Sequence, residues 1–290
     1  MKDKKSKFLR LFMMGKGELF DQMCSIAENN KNIKFLGSSN SGAHNEIDIN
    51  GNDISFDEIF KLRPDLIFVS EYRKIIKDER FFSILSINLH AGILPKYRGF
   101  NANSWAILND ENKVGFTYHR LTKNYDSGPI YISRKTKIGK KETYSAVRER
   151  MIEDLKKNFV KDIFKIYENQ DEYLTQNGES RYCSKIIKSD GRIYFSRYRA
   201  RYIYNMHRVM SLPLGTGIYF FYRGEKCVID DIDYSEGNVY NGISGAVIHK
   251  TINNQIWVKT IDSFIIVKSI LYKGEKIAPG EIIQINMRFE

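Results

Sequence analysis

The sequence predicts an α/β fold, with a Rossmann-like, doubly wound and mostly parallel sheet followed by a small all-β, OB-like domain. In residues 1–168, apolar runs of strand length alternate with segments of helical periodicity, and the connections are short. Residues 213–290 instead contain short apolar runs separated by glycine turns. The length of 290 residues suits one large and one small domain. We therefore expect a large domain at 1–168, a linker or helical connection at 169–210 and a β domain at 211–290.

The elements of the first domain follow from its apolar runs and from the residues that interrupt them. The turn at 15–17 has two glycines, but Phe20 stands where a G-x-G-x-x-G motif has its third, which favours a tight strand-to-helix turn over dinucleotide binding. Pro64 ends the second helix. The predicted strands are 8–14, 33–36, 66–69, 84–89, 114–121 and 130–138, and the predicted helices are 18–29, 55–62, 78–82, 100–109 and 143–167.

The connection is rich in cations and tyrosines. Residues 181–210 contain eight Lys or Arg and one acidic residue, Asp190. The run Arg197-x-Arg199-x-Arg201 could bind a nucleic acid, or it could form one face of a helix or strand. The predicted strands of the β domain that follows are 217–221, 227–229, 245–248, 256–258, 264–267 and 282–285.

Composition indicates a folded protein with no membrane span. The chain is 42% hydrophobic and 28% charged, and no run of 18 apolar residues occurs. The first apolar stretch is broken by Arg10 and has no cleavage site, so we expect a solvated N-terminus and not a signal peptide. The spacing of Cys24, Cys183 and Cys227 fits neither a metal site nor a disulfide set, which favours a reducing cytoplasm and no metal.

The net charge of +11 favours an anionic partner. A tRNA, the diphosphate of a nucleotide sugar, a polyglutamylated cofactor and an anionic membrane surface all satisfy that description. The alternative is a lysine-rich, solvated face that binds nothing.

Two polar side chains stand at the end of a predicted buried strand. Asn88 and His90 are two residues apart, so on a strand they point to the same face. Ligands of parallel sheets bind beyond the carboxyl ends of the strands. Asp126 offers a carboxylate on a later loop. An amide, an imidazole and a carboxylate in this arrangement predict a site for acyl transfer.

No candidate serine or cysteine nucleophile stands beside His90, which favours direct attack by an amine of the substrate. His90 would take or deliver the proton, and Asn88 would donate an N–H to the developing oxyanion. Asp126 would orient the imidazole, raise its basicity and hold an ordered water. The structural alternatives are a hydrogen-bonded histidine at a strand end and an aspartate in a turn.

The motifs around these residues resemble the signature of the 10-formyltetrahydrofolate-dependent formyltransferases. That pattern is Asn-x-His, a Leu-Leu-Pro-x-Tyr/Trp-Arg-Gly loop, Gly-x-Thr-x-His and Asp-x-Gly-x-Ile. Residues 88–90, 94–99, 115–119 and 126–130 match it in the same order. The resemblance covers nearly the full chain, because the C-terminal part is similar to the small β-barrel domain of two branches, one acting on methionyl-tRNA and one on amino sugars.

The resemblance implies that Asn88, His90 and Asp126 are catalytic and that 10-formyltetrahydrofolate donates the formyl group. It also implies that the pterin binds between the loop after the third strand and the loop of Asp126. His119 is interpreted as structural. The implied cofactor-binding residues are Ser70, Glu71, Tyr72, Ile75, Asn124, Tyr125 and Asp126.

Candidate substrate contacts lie at the first turn and in the loop after Pro95. Gly15 and Lys16 could meet a diphosphate, as could Arg98, and Tyr97 could pack on a sugar or base. The alternatives are a solvated Lys16 and an Arg98 that anchors its own loop. We favour the anchoring role for Arg98, because the residue is shared by both branches.

Two features choose between the branches. The interval 37–64 is short and its charges are mostly acidic, whereas the tRNA-directed branch has a long basic insertion there. The segment 70–76 resembles the Tyr-Arg-x-x-Ile segment of the amino-sugar branch. We therefore expect a cytoplasmic enzyme that formylates a dTDP- or UDP-linked amino deoxy sugar for O-antigen or another surface polysaccharide, with a homodimer as a candidate assembly. The alternatives are a methionyl-tRNA formyltransferase and a non-catalytic folate- or RNA-binding module.

Overall fold

The chain divides into two compact units that interleave along the sequence. The computed structural model describes residues 8–40, 46–47, 53–72, 74–211, 215–237 and 242–289. The first unit comprises the described parts of Met1–Asn103, Lys113–Thr136 and Glu149–Ser184. The second comprises those of Ser104–Asn112, Lys137–Arg148 and Lys185–Glu290. The domain boundaries at 168 and 210 stay predictions.

Strands and helices are interspersed up to residue 168, whereas strands predominate after it. The strands are β1 (Leu9–Gly15), β2 (Ile33–Asn40), β3 (Glu46–Ile47), β4 (Asp53–Ile54), β5 (Leu66–Ser70), β6 (Leu85–His90), β7 (Tyr97–Gly99), β8 (Lys113–Arg120), β9 (Ile130–Lys137), β10 (Arg181–Cys183), β11 (Ile218–Tyr222), β12 (Glu225–Tyr234), β13 (Val247–Lys250), β14 (Ile256–Lys259), β15 (Phe264–Tyr272) and β16 (Glu275–Ile277). The α-helices are α1 (Glu18–Glu28), α2 (Phe56–Lys61), α3 (Arg80–Ser83), α4 (Ala102–Leu108), α5 (Tyr144–Glu168) and α6 (Ala200–Met210).

The first unit is built on a six-stranded sheet with the order β2-β1-β5-β6-β8-β9. The pairs β1–β2, β1–β5 and β5–β6 are parallel, whereas β6–β8 is antiparallel. Gly15 pairs with Ser70, and Ser70 pairs with Leu89, so three parallel strands end at the same level. This sheet confirms the predicted α/β, mostly parallel first domain and aligns the strand ends on which the site is built.

The central strand β5 explains why helices cover both faces of this sheet. All of its residues are buried, as expected of a parallel strand between two layers. On one face, Ile67 and Val69 belong to an apolar cluster with Ile59 of α2. On the other, the ring of Phe68 lies edge-on to that of Phe159 of α5, with 5.1 Å between centroids. The sheet is therefore doubly wound, as predicted.

The second unit contains an antiparallel sheet with the order β11-β12-β15-β14-β13, and β16 pairs with β15. Helix α6 buries Ile203, Tyr204 and Met206 in the same core as this sheet. The all-β character of the C-terminal domain is confirmed, and its OB-like description stays a prediction.

The predicted strand at 282–285 is wrong. A 3₁₀ turn at Pro279–Glu281 precedes it, and the N–H groups of Ile282 and Ile283 both donate to the carbonyl of Pro279. Those groups are therefore not available to a sheet, and Ile283 is buried as a side chain that fills the core. The last strand is β16, at the polar segment that precedes this turn.

A short parallel pair, β7 and β10, joins residues 97–99 to 181–183. Neither segment has an apolar run, and their pairing spans more than eighty residues of chain, so no local pattern predicts it. No described helix is both long and apolar enough to cross a membrane.

Candidate active site

Strand pairing brings the predicted catalytic residues together. Asn88 and His90 lie at the carboxyl end of β6, and the antiparallel partner β8 places His119 opposite Asn88. The loop after β8 then returns with Asp126. His90 and His119 are buried, while Asn88 and Asp126 are partly buried.

The Asp126 carboxylate is the centre of this cluster. Its Oδ2 accepts the Gly99 N–H at 2.8 Å and lies 3.4 Å from Nδ1 of His90. Its Oδ1 lies 3.4 Å from Nε2 of His119 and accepts from Nδ2 of Asn88 at 3.4 Å. One carboxylate therefore links both histidines, the amide and the backbone of the loop that follows β6.

Both ring nitrogens of His90 face oxygen atoms. Nε2 lies 2.8 Å from the carbonyl of Tyr97, which can only accept, so this nitrogen holds a proton in the present conformation. Nδ1 faces the Asp126 carboxylate. The ring nitrogens therefore face a carbonyl and a carboxylate, and neither faces a serine or cysteine side chain.

His119, which the sequence analysis interprets as structural, lies in the same cluster. Its Nδ1 donates to the carbonyl of Arg120 at 2.9 Å, and its Nε2 lies 3.0 Å from Nδ2 of Asn88 and 3.4 Å from Oδ1 of Asp126. The Gly-x-Thr-x-His motif marked this residue, but only the register of β6 and β8 shows that it orients the Asn88 amide.

The surroundings move the pKa values of the acid and the base. Burial lowers the pKa of His90 below its ordinary value, although Asp126 and the Tyr97 carbonyl act in the opposite direction. Burial acts to raise the pKa of Asp126, but three other influences outweigh it and hold that pKa below its ordinary value. They are the contact with His119, the charges of both histidines and the Gly99 N–H. These directions favour a carboxylate beside a neutral imidazole, a pair that can accept and return one proton.

Two glycines let the loops approach one another. Gly99 has a φ of 83°, and a β-carbon there would stand 2.8 Å from the carbonyl oxygen of Cys183 on β10. A β-carbon on Gly128 would stand 1.9 Å from the carbonyl oxygen of Arg120. Because Gly128 has no side chain, the Asp126 loop can lie directly against the end of β8.

The predicted cofactor residues lie on two neighbouring loops. Ser70 is buried at the end of β5, and Tyr72 packs against an apolar cluster that also receives Leu121, at the start of the Asp126 loop. Ile75 and Tyr125 are each 55% exposed. Glu71 and Asn124 are exposed as well, and the Glu71 carboxylate lies close to Gly17. The loops therefore share an anchor and present two apolar side chains to solvent.

The predicted substrate residues are divided between two places. Gly15 and Lys16 lie at the end of β1, level with Ser70. The Tyr97 ring is buried, and it is the Tyr97 carbonyl that faces His90. Arg98 binds the side chain of Gln176, with Nε and Nη2 at 3.1 and 2.6 Å from its Oε1.

Among the described residues, no group of three or more His, Cys, Asp or Glu is placed to hold a metal ion.

Gln176 contacts two of the predicted site residues, because its side chain binds Arg98 and the carbonyl of Asp126. The sequence analysis missed this residue, because it lies in the polar connection after α5, far from every motif.

The geometry agrees with comparisons to known proteins. Residues 37–163 match the model of the formyl transferase domain, and residues 185–285 match that of the formyl transferase C-terminal domain. The chain belongs to the formyl transferase family. It is thus an enzyme that transfers formyl groups, and the sequence resemblance is confirmed.

Similar formyltransferases act on different amines. A methionyl-tRNA formyltransferase of Sulfurihydrogenibium sp. is 29% identical over 79% of this chain and 73% of that protein. A GDP-perosamine N-formyltransferase of Brucella melitensis is 32% identical over 44% of this chain, which spans half of that relative's length. The solved N-formyltransferase of Helicobacter canadensis, in complex with folinic acid and dTDP-3-aminofucose, has a TM-score of 0.65 and 19% identity over 90% of this chain and 99% of that one.

Proposed function

We propose that this formyltransferase moves the formyl group of 10-formyltetrahydrofolate to the amine of a nucleotide-linked amino deoxy sugar. The observation that supports direct transfer is the arrangement of His90, whose two ring nitrogens face the Asp126 carboxylate and the Tyr97 carbonyl and not a serine or cysteine side chain. The acyl group then has no protein acceptor, and the substrate amine is the nucleophile.

The residues present fit a folate donor. The loops of Tyr72 and Asp126 share one apolar anchor, and the half-exposed Ile75 and Tyr125 side chains on them can cover a flat ring. The donor supplies a formyl carbon activated by its bond to N10. The Helicobacter protein, bound to folinic acid, supports this choice of donor.

His90 moves the proton in the proposed reaction. The amine nitrogen bonds to the formyl carbon and gives a proton to Nε2 of His90, in the tautomer whose Nδ1–H faces Asp126. The imidazolium formed in this way then delivers that proton to N10 as the bond from the formyl carbon to N10 breaks. Asp126 stabilises the imidazolium that forms in between. The Asn88 amide donates one N–H to the formyl oxygen. The N–H that makes the long, 3.4 Å hydrogen bond to Asp126 Oδ1 is the one that this step would use, because the bond it gives up is weak.

The amino-sugar substrate is supported by the short, acidic interval 37–64 and by the relatives that act on nucleotide sugars. We favour dTDP or UDP as the nucleotide. Gly15 and Lys16, at the same sheet edge as Ser70, are the proposed contacts for the diphosphate. Cytoplasmic location, a homodimer and a role in surface polysaccharide synthesis stay predictions.

Methionyl-tRNA is the second candidate substrate, and a surface of the second unit favours it. Arg197 lies over the Tyr194 ring at 4.7 Å, and Lys226 lies over the Tyr219 ring at 4.0 Å. Cations on partly exposed rings suit a nucleic acid. The tRNA relative also matches more of this chain than the GDP-perosamine relative does.

A product assay decides between these substrates. The enzyme is incubated with 10-formyltetrahydrofolate and, separately, with dTDP- or UDP-amino sugars and with charged initiator tRNA, and products are identified by mass. A formylated sugar nucleotide is expected, and formyl-methionyl-tRNA as the sole product would refute the sugar assignment. His90→Ala should abolish either activity, while His249→Ala, at an exposed histidine of the second unit, should not.

A further inference from the structure

The segment 174–183, termed the strap, connects the two loops that hold the catalytic cluster. Leu174 exchanges two backbone hydrogen bonds with Ile130, both of 2.8 Å. Further along, β10 pairs with β7, and the Tyr182 hydroxyl donates to the carbonyl of Tyr125 at 3.2 Å. The strap is thus bonded both to the loop that contains Arg98 and to the loop that contains Asp126.

Gln176 is the residue of the strap that bonds to both loops through one side chain. Its Nε2 donates to the carbonyls of Asp126 and Gly128, at 2.9 and 2.7 Å. Its Oε1 accepts Nε and Nη2 of Arg98. Both amide hydrogens and both lone pairs of the oxygen are therefore used, which fixes the side chain in one orientation.

The backbone that Gln176 holds has an unusual conformation. Asp126 has a φ of 48°, in the left-handed region that non-glycine residues seldom occupy. Such a residue persists when its surroundings determine it from several sides. Here the carboxylate is held by the Gly99 N–H, and the carbonyl of the same residue is held by Gln176.

We propose that Gln176 is a positioning residue for formyl transfer. Its amide fixes the backbone of the Asp126 loop, so that the carboxylate stays 3.4 Å from His90 Nδ1, and it couples this loop to Arg98. The inference rests on the catalytic role proposed above for Asp126, and it holds for either acceptor amine.

A narrower role is that Gln176 only anchors Arg98. The two roles use different atoms, because Arg98 needs the oxygen and the Asp126 loop needs the N–H groups. Gln176→Glu keeps the acceptor, and even adds a charge for Arg98, but it places a carboxylate against two carbonyl oxygens. Gln176→Met removes both functions at similar volume.

The test compares the two variants with a matched control, Gln170→Met. Gln170 lies in the same connection and makes one side-chain hydrogen bond, to the carbonyl of Tyr167 at 3.1 Å. We expect kcat of Gln176→Met to fall roughly 10- to 100-fold, as for misplaced catalytic groups in general. Because Asp126 then supports the imidazolium less, the acidic limb of its pH–kcat profile should move to lower pH. Gln176→Glu should not restore kcat, and Gln170→Met should match the wild type.

Two outcomes would overturn the inference. Gln176→Met with a wild-type kcat and pH profile and only a lower melting temperature would make the strap purely structural. Gln176→Glu with wild-type kcat would reduce Gln176 to an anchor for Arg98.

A measurement without acceptor separates this inference from the substrate assignment. In the free protein, the ¹⁵N-histidine NMR titration of His90 should have a lower midpoint in Gln176→Met than in the wild type, whichever amine the enzyme uses. An unchanged midpoint refutes the positioning role, whereas failure of the wild type to formylate any sugar nucleotide refutes only the substrate.

Discussion

Replacing Asp126 by asparagine tests the electrostatic role of the site most directly. The two side chains have the same shape, and an asparagine oxygen can still accept the Gly99 N–H that Oδ2 accepts at 2.8 Å. The change therefore removes the charge beside His90 and leaves the loop anchored.

The expected loss of turnover follows from the 3.4 Å separation of His90 Nδ1 and Asp126 Oδ2. Opposite unit charges at this distance attract by about 5 kcal/mol at an effective dielectric constant of about 20. In the proposed mechanism the imidazolium forms only during transfer, so most of this attraction would stabilise the transition state. Each decade in rate corresponds to about 1.4 kcal/mol, which gives an upper limit of roughly 10³- to 10⁴-fold in kcat.

Single-turnover formation of tetrahydrofolate, with the acceptor saturating, measures this loss without interference from product release. Asp154→Asn is the matched control, because it neutralises a half-exposed aspartate of the same unit that pairs with Arg134 at 3.0 Å. A folded Asp126→Asn variant within ten-fold of the wild-type rate would refute the electrostatic role.

Three further measurements, one of them again on Asp126→Asn, test the site and the unit that supports it. The folded-state pKa of Asp126 lies below its ordinary value of 3.8, so its ionised form stabilises the fold above about pH 4, and this stability is lost as the pH falls through the lower, folded value. In urea denaturation at a series of pH values, the free energy of unfolding should therefore fall less steeply with acid for Asp126→Asn than for the wild type. An identical dependence on pH in the two proteins would contradict the pKa shift. Asp162→Asn removes the buried carboxylate that binds the Arg134 guanidinium at 2.5 and 2.6 Å and leaves that guanidinium with its half-exposed partner Asp154. It should lower the free energy of unfolding by about 2 kcal/mol, and a change below about 0.5 kcal/mol would count against a stabilising charged hydrogen bond. Gly128→Ala puts a β-carbon where the Arg120 carbonyl oxygen stands and should displace the Asp126 loop. Steady-state assays should then show lost turnover in a protein whose circular dichroism is unchanged. Retained activity would show that the position of this loop is not critical.

Part of the candidate catalytic cluster can be predicted from the sequence because its residues belong to short local patterns. Asn88 and His90 share a face through the two-residue period of a strand, and Asp126 belongs to a short motif with its own glycine. These features need no knowledge of distant contacts. The same reasoning failed at 282–285. The isoleucines there suggest a strand by composition, but they follow a 3₁₀ turn and Ile283 fills the core.

His119 and Gln176 show where local reasoning ends. His119 was recognised in its motif, but its contact with Asn88 depends on the register of an antiparallel pair whose members are 31 residues apart. Gln176 lies in a polar connection with no periodicity, and its partners are 48 to 78 residues away in the sequence.

By itself, then, the sequence determined the α/β class, the all-β C-terminal part and the formyltransferase family. It also identified Asn88, His90 and Asp126 as the candidate catalytic residues. Hydrophobic periodicity and short motifs carry this information, because both are properties of neighbouring residues. Only the tertiary structure decided that one carboxylate meets two histidines, that the Tyr97 carbonyl and not its ring faces His90, and that the strap holds both loops. Those facts depend on the path of the backbone between distant segments, and backbone groups have no residue-specific signature in a sequence.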